Sequence, residues 1–108
     1  MSNEEIKYVE MGFVEFINLC NESSVIKLEE MLMYLTVEHK ELDTTFGNYS
    51  GLLIEMQEKG EFDYLNDQAS ASLIGSMGCA LYYLRRIEEQ MDLIRQVMRS
   101  KVPDCFKQ

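Results

Sequence analysis

Apolar residues recur every three or four positions along two stretches of the chain, without a slip. In the middle they stand at Leu28, Leu32, Leu35, Leu42, Phe46, Tyr49, Leu53 and Met56, and His39 is the one polar residue in the run. Toward the end they stand at Leu73, Met77, Ala80, Leu84, Ile87, Met91, Ile94 and Met98. Alternating steps of four and three keep a stripe on one face of an α-helix, and about four heptads of it predict long helices packed side by side. The expected fold is all-α: an antiparallel helical bundle built on a long heptad-patterned hairpin, residues 25–59 and 68–99, in one domain spanning 1–108.

A shorter stripe at Ile6, Val9, Phe13, Phe16 and Cys20 predicts an N-terminal helix over residues 3–20. Ser2 and Glu5 have the spacing of a capping box, each side chain meeting the other's free backbone N–H. Residues 21–24 interrupt the pattern, and Ser24 is placed to cap the middle helix. Gly60 is its expected C-terminal stop, residues 61–67 form the connection, and Pro103 bars the last helix from running much further. Residues 43–51 are rich in poor helix formers, so propensity alone puts a turn there. The heptad phase passes through unbroken, and one continuous helix is the expectation.

A tight connection makes the two long helices antiparallel neighbours. With the bend near residue 63, the four arginines (Arg85, Arg86, Arg95, Arg99) fall level with the part of the middle helix that carries Glu29, Glu30, Glu38 and Glu41. Cross-helix ion pairs are expected there, setting alignment more than stability. Gly47 and Gly51 fall level with Cys79 and Gly75, near Gly78. Glycine is costly inside a helix, so close approach of the two backbones, or a groove for a partner's side chain, is expected at that level. The N-terminal helix covers only the near half of the hairpin. The distal half, with Phe46, Tyr49, Leu52, Leu53, Ile54, Met56, Leu73, Ile74 and Met77, is left with more apolar surface than a monomer keeps wet.

Charge narrows the classes of partner. The net charge is −9, from 19 acidic and 10 basic residues. It is uneven: residues 1–84 hold 15 acids and 4 bases, residues 85–108 hold 4 acids and 6 bases. Such a balance argues against direct nucleic-acid binding or docking on an anionic membrane, both of which need a basic patch. Four of the eight methionines, Met56, Met77, Met91 and Met98, fall on the apolar stripes, where flexible thioethers fill irregular gaps and also suit adaptable binding surfaces. Cys20, Cys79 and Cys105 make an odd set with no C-x-x-C, neither a disulfide framework nor a zinc site. The first residues are acidic where a leader would be basic, and no apolar run approaches a membrane span. A reducing cytoplasm is the expected compartment.

Candidate chemistry is sparse. His39 on the core stripe reads as a satisfied polar core residue, with no nucleophile arranged beside it. Glu38 and Glu41, and Glu89 and Asp92, are pairs three residues apart that share helix faces. Four carboxylates converging from two helices can hold Mg²⁺. On these four residues the chain resembles the all-α nucleotide pyrophosphohydrolases of the MazG type, with a longer separation between the pairs than that family's motif. The resemblance implies a Mg²⁺-dependent nucleotide hydrolase. Tyr82 and Tyr83 are adjacent and cannot both face one neighbour; Tyr82 is expected to be the more exposed, and exposed tyrosine beside arginine favours binding.

The expected function is therefore a non-enzymatic protein-interaction module of adaptor, chaperone-like or inhibitor type, with no cofactor and no catalytic or metal-binding residues. It binds a protein partner or itself, as a homodimer, through Phe46, Tyr49, Leu52, Leu53, Met56, Leu73, Met77 and Tyr82. Two alternatives stand beside it: a DNA mimic, motivated by the acidic first 84 residues, and the nucleotide hydrolase.

Overall fold

In the computed structural model, which describes residues 8–102, side-chain caps start the two long helices and a glycine turn ends the first of them. The chain runs through a 3₁₀ turn Tyr8–Glu10, then α1 (Phe13–Glu22), α2 (Val25–Glu58) and α3 (Gln68–Lys101), with no strand among the described residues. Helices α2 and α3 pack closely as an all-α hairpin. The expected capping box of Ser2 and Glu5, Ile6, Pro103 and Cys105 lie outside the described residues.

The caps explain the boundaries. Ser24 Oγ accepts the Lys27 N–H at 3.1 Å, the N-cap expected for α2. At the other end, the Gly60 N–H donates to Gln57 O (3.1 Å) and the Glu61 N–H to Met56 O (2.8 Å). That is a Schellman closure, and it places Gly60 at φ +70°, where a side chain would be strained. Asp67 caps α3, accepting from the Ser70 N–H at 3.0 Å and the Ser70 hydroxyl at 2.8 Å. The fully buried Ser70 hydroxyl also accepts the Asp63 N–H at 3.0 Å. One hydroxyl thus ties the connection to the first turn of α3. Asp63 in turn accepts from the Asn66 backbone and side chain.

The continuity expected for the middle helix is found: residues 43–51 are helical throughout. The N-terminal helix is corrected. It does not run over 3–20; the chain leaves a 3₁₀ turn at Glu10, and α1 starts at Phe13 with extended Gly12 as its N-cap (φ −66°, ψ 159°). Glu15 accepts the Gly12 N–H at 3.4 Å, and α1 continues two residues past Cys20. Gly12 is a poor helix former followed at the right distance by an acceptor for the cap.

Two compact units emerge from the chain: residues 8–38 with 86–102, and residues 39–85. The first holds a dry core of Phe16, Cys20, Leu28, Met31, Leu35, Ile87 and Ile94. Tyr8 packs edge-on against Phe16 and Tyr34, with ring centroids 6.3 and 5.6 Å away. The break before α1 frees backbone carbonyls that a helix would have used, and α3 supplies the donors. Arg86 donates from Nε and Nη2 to Val9 O and from Nη2 to Met11 O at 2.8 Å. Gln90 Nε2 donates to Tyr8 O at 2.6 Å. Lys101 closes the far end of α1, donating to Asn21 O at 2.8 Å and to Ser23 O.

Burial pushes the Cys20 thiol above its ordinary value of 9.0, with Lys101 pulling the other way. A neutral thiol is what an apolar core favours.

Candidate functional site

The unit of residues 39–85 has a different character. Its α2 segment, His39 to Glu58, has no buried residue, although it carries Leu42, Phe46, Tyr49, Leu52, Leu53, Ile54 and Met56. Burial in this unit lies on the α3 side, at Ser70, Leu73, Ala80 and Leu84. Two helices alone can shield each other on one face only, so the seam stays half-open.

Among the sequence-predicted binding residues, Leu73 is buried, and Phe46, Tyr49, Leu53, Met56 and Met77 are half-buried in this unit. Leu52 (46% exposed) and Tyr82 (56%) face outward. Tyr82 is indeed more exposed than Tyr83, and the two rings meet edge to face at 5.3 Å.

Beside the seam runs an open trough of about 540 Å³, walled on α2 by Leu42, Thr45 and Tyr49 and on α3 by Ser72, Gly75, Ser76, Cys79 and Ala80. Only Tyr49 belongs to the predicted binding set. Leu42 and Ala80 also stand on the heptad stripes, whereas Thr45, Ser72, Gly75, Ser76 and Cys79 lie off them, and a search for heptads passes over that part of the wall.

Three expectations for this region and its surroundings are corrected. The glycines are not sites of close backbone approach: a Cβ built on Gly47, Gly51, Gly75 or Gly78 meets nothing within 4 Å. Arg95 does not reach across to α2 but pairs with Asp92 on its own helix at 3.2 Å, and Arg86 serves the Val9 and Met11 carbonyls. Glu38, Glu41, Glu89 and Asp92 do not converge: among the described residues no group of three or more His, Cys, Asp or Glu side chains is placed to hold a metal ion. An even fold-over register takes no account of helix rotation or of the freed carbonyls at residues 8–11.

A second cavity, of about 50 Å³, lies in the other unit and is lined by Met11, Phe13, Phe16, Arg86, Glu89, Gln90 and Leu93. Gln90 Oε1 is a buried acceptor with no partner among the described residues. The cavity is the size of one or two water molecules. No nucleophile–base pair accompanies it. His39, the lone histidine, is half-buried, and no helix is long and apolar enough to cross a membrane among the described residues. Comparison of the chain with protein-family models, curated proteins and solved structures finds no match.

Proposed function

We propose that the chain is a non-enzymatic protein-interaction module, an adaptor, chaperone-like or inhibitor protein, that binds through residues 39–85. One observation carries this reading: twenty consecutive helical residues, His39 to Glu58, include seven large apolar side chains and no buried one. Contiguous half-exposed apolar surface of that kind marks interaction sites on soluble domains. The trough adds concavity, and Tyr49 and Tyr82 add amphipathic rings of the kind enriched in binding hot spots. The dispersed carboxylates speak against the Mg²⁺-dependent hydrolase.

Affinity capture with Leu52→Glu and Tyr82→Glu tests the proposal. Both positions are exposed, so helix content by circular dichroism should be unchanged. Proteins retained by the wild type should be lost by both variants, and retention should survive 0.5 M salt. Unchanged capture by the variants would move function off this surface. Steep loss of capture with salt would favour the DNA mimic, whose contacts are screened charges.

A further inference from the structure

We infer that the occupant of the trough is a second copy of this chain, laid antiparallel across a two-fold axis near Gly75 to Cys79; this rests on the interaction reading above. The first support is charge. Residues 68–84 form seventeen consecutive helical positions without one Asp, Glu, Lys or Arg, in a chain of net charge −9. Self-association of such a chain normally sets acid against acid, and a large net charge keeps proteins apart. On this stretch of α3 two copies can meet without opposing like charges. A basic partner would find nothing on residues 68–84 to pair with.

The second support is shape. Ala71, Ser72, Gly75, Gly78, Cys79 and Tyr82 are all exposed on α3. The glycines have open space where a Cβ would stand, so this chain's own packing gives no reason for them. Within residues 68–84 the small residues lie toward the start and the large Tyr82 toward the end. An antiparallel two-fold that sets Gly75 opposite the other copy's Cys79 brings Tyr82 over Ser72, in both directions at once. Each copy offers the hollow that the other fills, which is what an isologous contact requires.

Size sets the strength. Two helices side by side, each about 10 Å across over about 25 Å, present roughly 500 Å² per copy, near the lower limit of a specific interface. So small a contact is to be sought at high protein concentration.

Sedimentation equilibrium of the full chain at 5–500 µM, in 50 mM and 500 mM NaCl, tests this. The expected result is a monomer–dimer equilibrium that tightens several-fold in high salt, because only long-range repulsion is screened. Ser72→Glu and Cys79→Glu each place a charge in the desolvated contact and should weaken it by at least about 30-fold while leaving helicity unchanged. Two variants guard against one failing to fold. A wild type that stays monomeric at 500 µM in 500 mM NaCl overturns the inference, as do both variants associating like the wild type. If that monomeric wild type captures a protein that Ser72→Glu loses, the second copy is excluded while the interaction module stands.

Discussion

Replacing Gly47 and Gly51 together by alanine should make the protein more stable, and the structure sets the amount. Both glycines lie inside α2 with ordinary helical backbone, since Gly60 is the one glycine with positive φ among the described residues. A Cβ at either position meets nothing within 4 Å. The substitution then removes only the excess freedom of the unfolded chain, worth about 0.8–1.0 kcal/mol per site in a helix interior. Gly47 and Gly51 are neighbours on one helix face, but the added groups are single uncharged methyls, so the two gains together come to about 2 kcal/mol. For a chain of this length that is roughly a 10 °C rise in Tm, or a urea midpoint higher by about 1–2 M at unchanged slope. Urea melts followed by circular dichroism read it directly. A double variant no more stable than the wild type would show that α2 breaks between residues 43 and 51 or that another surface rests on it. Gly60→Ala is the opposing control: at φ +70° a side chain costs about 1 kcal/mol.

Three further outcomes are expected. Ser70→Ala removes the acceptor of the Asp63 N–H and should cost about 0.5–1.5 kcal/mol in urea melts; Ser70→Thr, which keeps the hydroxyl, should cost less. Arg86→Met strands the Val9 and Met11 carbonyls and should cost about 1–3 kcal/mol, with the loss concentrated at the N-terminal turn when amide protection is mapped. Stability should also fall above about pH 9: the folded Cys20 thiol resists ionisation while the unfolded one does not, so its contribution is intact below 9.0 and is lost as pH rises through the folded value. The slope is at most about 1.4 kcal/mol per pH unit, and subtracting the Cys20→Ala profile isolates it; identical alkaline slopes would place the effect elsewhere.

The long helices were legible because their signals are local. Heptad spacing marks the bodies of α2 and α3, and Ser24 and Gly60 announce ends that hydrogen bonds then close. The pause before α1 was hidden because Val9, Phe13 and Phe16 keep helical spacing whether or not the backbone is helical between them. The signal for it was Gly12 with Glu15 three residues on. Arg86, Gln90 and Lys101 act on carbonyls more than seventy residues away, and no periodicity encodes such reach. The trough was legible in part: Gly75 and Cys79, level with the α2 glycines, pointed to a groove, whereas Thr45, Ser72 and Ser76 stand off the apolar stripes and gave no signal.

The uneven distribution of buried residues carries a consequence for exchange with solvent. Amides of α2 near Leu28, Met31 and Leu35 lie under fully buried side chains, while those near Gly47 to Met56 lie under none. Deuterium should enter the second group through small openings, at a free energy well below that of global unfolding. The helix is unbroken, yet it has a slow end and a fast end. Any partner that settles on residues 39–85 will first be visible as a slowing of that fast end.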